Sequence, residues 1–127
     1  PEIEAVRGCA RAVEFSGFTI RLDRLQYRSR ARIAWLAASA APGALTALVD
    51  DLSDRLRRTG FALDGREFRP HVTLVRKARH RPRAQAPEIA WPVTEFTLIE
   101  STLSPGGSVY RPLDRWTCLG GQSADME

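Results

Sequence analysis

Proton transfer near neutral pH has two candidate side chains in this sequence, His71 and His80. His71 stands in the run Phe68-Arg69-Pro70-His71-Val72-Thr73-Leu74-Val75-Arg76. Alternation along a strand puts His71 and Thr73 on one face and Val72 and Leu74 in the core. An imidazole and a hydroxyl side by side on a rigid strand suit phosphate-ester chemistry. The imidazole moves a proton, and the hydroxyl donates a hydrogen bond to a non-bridging phosphate oxygen. Taken alone, H-x-T is a weak signal, and a satisfied structural histidine explains the tripeptide better. His80, in Arg79-His80-Arg81-Pro82, has two cationic neighbours that disfavour its protonated form, and it reads as a solvated loop residue.

Other chemistries find no support. There is no G-x-x-x-x-G-K-[ST], G-x-G-x-x-G or G-x-S-x-G pattern. Gly106-Gly107 follows Pro105 between two strand-like runs and reads as a turn. Asp50, Asp51 and Asp54 share a helix face with Arg55, Arg57 and Arg58, so ion pairing in solvent accounts for them. Cys9 and Cys118 form no C-x-x-C pair, which leaves a zinc site unsupported and a reducing, cytoplasmic compartment expected. The apolar run Ile33–Ala41 is far too short to span a bilayer.

The charge balance offers a partner. Nineteen Lys plus Arg against fifteen acids give a net charge of +4, and the only lysine is Lys77. Codon bias in a GC-rich genome explains net charge alone. Clustering favours a phosphate-bearing partner, because arginine forks match phosphate geometry. Arg76, Lys77, Arg79, Arg81 and Arg83 form one cluster, and Arg21, Arg24, Arg28, Arg30 and Arg32 another.

The elements that must position these residues fit one domain, expected over 1–120, with a polar tail at 121–127; the length is 127 residues. Ile3, Val6, Ala10 and Val13 predict a helix from Pro1 to about Phe15. Phe18 to Tyr27 alternates as one strand, bulged at Asp23-Arg24. Arg32 to Ser39 pairs with it, with Ile33, Trp35 and Ala37 on one face and both faces mostly buried. Pro42-Gly43 opens a helix whose stripe is Leu45, Leu48, Val49, Leu52 and Leu56, closed by Gly60. Asp64-Gly65 turns a loop, and a strand runs from His71 to about Lys77. A basic segment, Ala78–Pro87, reads as a mobile loop. Trp91 to Leu103 is a long strand with Val93, Phe96, Leu98 and Ile99 as core candidates. Ser104-Pro105-Gly106-Gly107 turns the chain into a returning strand, Ser108 to Leu119, which Pro112 places at an edge. The order α-β-β-α-β-β-β predicts an α+β two-layer fold, with two helices over one sheet face.

The run F-R-P-H-V-T-L-V-R, after an amphipathic helix and Gly60-Phe61, resembles the 2H phosphoesterase superfamily. Within it the chain looks like the bacterial RNA 2′,3′-cyclic phosphodiesterases, also called 2′-5′ RNA ligases. Ile33-Ala34-Trp35-Leu36-Ala37 and the segment from Glu100 to Leu113 are similar to that family's tryptophan-bearing strand and closing hairpin. The resemblance implies a two-lobed fold of antiparallel sheets with helices packed outside. It implies an H-x-[ST] strand in each lobe, one histidine serving as base and the other as acid. The implied substrate is RNA with a 2′,3′-cyclic phosphate end, opened to a 2′-phosphate or, in the reverse sense, joined through a 2′-5′ bond. No metal, cofactor or membrane is implied. His71 and Thr73 match the second motif, and Arg76 matches the basic residue that helps bind phosphate. Strict alternation sets Arg76 on the face opposite His71, so a twist or bulge would have to bring it round. Lys77, Arg79, Arg81 and Arg83 become candidate RNA-backbone contacts. The first H-x-T is absent, and the sequence begins at Pro1 without Met. The expectation is therefore a carboxy-terminal portion lacking its amino-terminal elements, or a naturally short chain that self-associates to complete the site.

Overall fold

The computed structural model describes residues 1–83, 85 and 88–119. The 121–127 tail and Pro87 lie outside the described residues. Helix α1 spans Glu2–Ala12, with Glu2 and Glu4 in its first turn and Arg11 in its last, as the helix dipole favours. It stops before Phe15 because the chain turns extended at Val13, which sends Val13 and Phe15 into the core. Strands β1 (Phe18–Leu22), β2 (Arg24–Arg28) and β3 (Ile33–Ala37) follow, then helix α2 (Gly43–Arg58). Strands β4 (His71–Val75), β5 (Ile89–Val93), β6 (Glu95–Ser104) and β7 (Gly107–Thr117) complete the described order.

The described strands form three antiparallel groups, β1-β5, β2-β3-β4 and β6-β7, which is the α+β arrangement of antiparallel sheets that the resemblance implies and not the single sheet that spacing alone suggests. Two expected strands are each split. Phe18–Tyr27 divides at Asp23, and its halves join different groups. The Asp23 carboxylate accepts from the Ser39 amide (2.9 Å) and hydroxyl (2.6 Å), while the Asp23 amide donates to the Ala37 carbonyl at 3.0 Å. These bonds fasten the break to the end of β3. The expected strand from Trp91 to Leu103 divides likewise at Thr94, whose carbonyl accepts from the Cys118 amide at 2.7 Å.

Helix α2 carries the packing. Its Leu48 and Leu52 join Val13, Phe15, Phe18, Phe96 and Cys118 in one cluster. Its Leu45 and Val49 join Ile20, Leu22, Leu25, Leu36, Val72 and Val93 in a second. Gly60, with φ +110°, ends the helix in the left-handed region, and the Phe61 amide reaches back to the Leu56 carbonyl. Arg55–Asp51 and Arg58–Asp54 form the expected pairs along its solvent face.

The buried face of β3 is Ala34 and Leu36; Ile33, Trp35 and Ala37 are only partly buried and point to the other side. Leu74 is 50% exposed rather than in the core, because a register shift in the β3–β4 ladder leaves it unpaired. Ile99 is likewise exposed (49%), lying where the β6–β7 ladder shifts register and the hairpin projects from the core. Val93 and Phe96 pack as expected. Pro112 sits in β7 beside that register shift, at an edge, as its missing amide requires.

Leu36 is 4% exposed and pairs with Val72 of the H-x-T strand, on the buried face of the sheet. Leu36→Ala is expected to lower unfolding free energy by about 3 kcal/mol, lost transfer energy plus a residual cavity. A urea titration checks this. A second measurement bears on the strand break. Two hydrogen bonds from Ser39 hold the Asp23 carboxyl below its ordinary 3.8. Its stabilisation is therefore complete above that value and lost as pH falls through the lower folded one. Asp23→Ala should be less stable than the parent at pH 7, and the two should converge in strong acid. A constant difference across the acid range would contradict that origin.

Candidate active site

Three strands build the site face. In register across the sheet, Arg24 faces Ala37 and Ala37 faces His71; Gln26 faces Trp35 and Trp35 faces Thr73. Directly paired residues share a face, so His71, Thr73 and Trp35 stand together on the side away from Val72, Leu36 and α2. The sheet thus has a buried face under α2 and an open face carrying the polar groups.

His71 is fixed by its own chain. Its Nδ1 lies 2.9 Å from the Arg69 carbonyl oxygen. A carbonyl only accepts, so Nδ1 carries the proton, and Nε2 remains free to take or give one. Pro70, buried between the two residues, stiffens the link. His71 itself remains exposed.

A cleft of ≈ 760 Å³ opens beside His71. Its walls include Trp35, Arg24, Gln26, Arg28, Phe68 and Arg69. A second depression runs along β2 from Asp23 to Tyr27 and shares Arg24, Gln26 and Tyr27 with the first. Arg81 closes it, its guanidinium 5.7 Å from the Tyr27 ring centroid. Part of the basic segment is thereby attached to the wall of the cleft.

The expected site residues do not all meet in one place. His71 and Thr73 share the site face, His71 lining the cleft and Thr73 next along the sheet. Arg81 reaches the β2 side and also lines, with Arg79, Arg83, His80, Val75 and Ala78, an adjoining depression distinct from the His71 cleft. Arg76 and Lys77 lie just beyond β4. The bulge that strict alternation lacked is present: Trp35 pairs with Thr73 but Ala34 with Val75. That one-residue shift leaves Leu74 unpaired, and Arg76, which follows β4, is exposed and not among the residues lining the cleft beside His71. Lys77 then takes a left-handed φ of 59°, and the Ala78 amide donates to the Arg32 carbonyl at 2.8 Å, which pins the exit from β4. Of the second arginine cluster, Arg24 and Arg28 line the cleft, whereas Arg21 pairs with Glu88 on the β1-β5 ladder. Gln26 and Phe68 escaped the sequence reading. Arg24, Gln26 and Arg28 recur at strand spacing, but reading β1 and β2 as one strand hid that polar stripe.

The H-x-T strand thus sets His71 at an arginine-lined cleft, with Thr73 on the same face and its apolar side under a helix. A model of the 2′-5′ RNA ligase superfamily matches residues 2–104, and the chain belongs to that superfamily. It is 37% identical over 102 residues to the RNA 2′,3′-cyclic phosphodiesterase of Escherichia coli, covering 79% of this chain and 58% of that one. The protein of the same name from Thermus thermophilus is 31% identical over 123 residues, covering 79% and 61%. The chain thus spans about three fifths of the length of these relatives. The crystal structure of E. coli LigT in apo form superposes with a TM-score of 0.79 at 33% identity, covering 92% of this chain and 67% of that one. LigT complexed with 3′-AMP gives 0.74 at 32% identity, covering 92% and 68%. Among the described residues, no helix is long and apolar enough to cross a membrane.

Proposed function

We propose that this chain carries one imidazole of an RNA 2′,3′-cyclic phosphodiesterase site, with His71 and Thr73 acting on the phosphate. The observation that carries the reading is the Nδ1–Arg69 hydrogen bond, which leaves Nε2 free at an arginine-walled cleft. The names of the relatives agree with it.

In the reaction, a water oxygen attacks phosphorus and the bond from phosphorus to the ribose 3′ oxygen breaks. The 3′ oxygen takes a proton, leaving a 2′-phosphate and a free 3′ hydroxyl. Nε2 of His71 serves one of the two proton transfers, and the Thr73 hydroxyl donates to a non-bridging oxygen as its charge grows. One imidazole cannot stand on both sides of phosphorus at once. His80 lines a different depression, so this reading takes its second imidazole from residues beyond these 127 or from a second copy of the chain. Arg76 assists at the phosphate, and Lys77, Arg79, Arg81 and Arg83 meet the RNA backbone. The single domain is 1–120, and the two free cysteines fit a reducing cytoplasm.

The test incubates the product of the complete reading frame with an RNA oligonucleotide ending in a 2′,3′-cyclic phosphate. Conversion to the 2′-phosphate is expected. Salt-dependent binding with no turnover would replace the reading with a non-catalytic RNA-binding domain. If all five cations from Arg76 to Arg83 touch single-stranded RNA, log affinity against log salt should have a slope of about −3.5 from them. Substituting the five with Ala or Gln should flatten the slope by that amount, and an unchanged slope would remove them from the interface.

A further inference from the structure

We propose that Trp35 is the platform on which the base of the terminal nucleotide stacks, so that the site recognises any nucleobase through its flat face. This rests on the phosphodiesterase reading of His71 and Thr73.

Trp35 is placed unlike a packing residue. Its chain neighbours Ala34 and Leu36 are buried on the α2 side, and Leu36 joins the second core cluster. Trp35 belongs to neither cluster. Trp116, by contrast, packs on Phe96 with ring centroids 5.4 Å apart. The indole instead forms part of the cleft wall and pairs across the ladder with Thr73, the residue assigned to the phosphate. His71 is its diagonal neighbour on the same face. Directly paired side chains stand about 4.5–5.5 Å apart at Cβ, and diagonal ones about 7–8 Å. A ribose is of that size, so a phosphate at Thr73 and His71 sets its base within reach of the indole.

The rest of the cleft suits such a ligand. Phe68, 51% exposed, offers a second ring in the same cavity. Gln26, the other ladder partner of Trp35, brings an amide able both to donate and to accept at a base edge. Arg24 and Arg28 supply positive charge around the apolar surface, while Arg69 lies 3.6 Å from the Glu67 carboxylate, which lines the same cleft. Ala37, between Arg24 and His71 in the ladder, is too small to fill the space there. A greasy ligand would not need this arginine rim, and inorganic phosphate would not need the ring.

Calorimetric titration separates the contributions with three probes: adenosine 3′-monophosphate, its abasic analogue with hydrogen in place of the base, and inorganic phosphate. The nucleotide should bind about tenfold more tightly than the abasic analogue, as one stacked base provides. Trp35→Leu should reduce that ratio to about one while phosphate affinity stays within twofold. Trp35→Phe, which keeps a ring, should restore most of the preference and guards against misfolding as the explanation. Uridine 3′-monophosphate should show the same ratio within a few-fold. Equal binding of nucleotide and abasic analogue, or a preference that survives Trp35→Leu, overturns the platform. Phosphate binding that fails to appear, or that ignores His71→Ala, overturns the phosphodiesterase reading beneath it and the platform with it.

Discussion

His71→Ala should lower turnover of a 2′,3′-cyclic phosphate end by about a thousandfold in the complete gene product. General acid–base catalysis by one positioned group contributes about 10²–10⁴-fold. Here the group is held by the 2.9 Å bond between Nδ1 and the Arg69 carbonyl. Alanine deletes the proton carrier and leaves the cleft wall of Trp35, Arg24 and Arg28 in place. The loss should therefore fall on kcat, with KM changed only a few-fold. His71 is exposed, so stability should move by no more than about 0.5 kcal/mol. Steady-state kinetics beside a urea titration checks both halves. His71→Gln should be nearly as inactive, since an amide hydrogen-bonds but does not carry a proton near pH 7. Turnover within threefold of the parent would mean that the imidazole stands outside the reaction.

Thr73→Val should cost about a hundredfold. Valine keeps the β-branched shape that suits a strand and removes only the hydroxyl. Deleting one donor aimed at developing charge typically lowers kcat by about 10²–10³-fold. Thr73 lies on the open face opposite Trp35, so no buried partner is orphaned by the change. Thr73→Ser, which keeps the donor, should retain most of the activity. If serine and valine behave alike, the hydroxyl is not the donor and Thr73 serves the strand alone.

The shared face of His71 and Thr73 was legible because a local rule governs it. Alternation from Pro70 onward placed His71 and Thr73 on one face, and the structure does the same through direct pairing with Ala37 and Trp35. The α2 stripe was legible because Leu45 and Leu48 recur at helical spacing and both are buried. Strand boundaries were not. The breaks at Asp23 and Thr94 depend on hydrogen bonds to Ser39, Ala37 and Cys118, residues distant in sequence. Faces failed at the same kind of place. Leu74 and Ile99 look like core residues by spacing, yet each sits at a register shift that only a partner strand reveals. Trp35 shows the limit most clearly. Its apolar neighbours made both faces of β3 read as buried, although the open face is the one that meets the cleft.

The most direct test of the central claim asks which histidine meets a phosphate. The chain has two, so their imidazole nitrogen signals separate in a ¹⁵N-labelled sample, with His80→Asn assigning them. Adding inorganic phosphate near neutral pH should move the Nε2 signal of His71 towards its protonated position, because a nearby anion favours the charged ring. His80 should barely respond, and Thr73→Val should weaken the response of His71. A phosphate-induced shift at His80 with His71 unmoved would contradict the account.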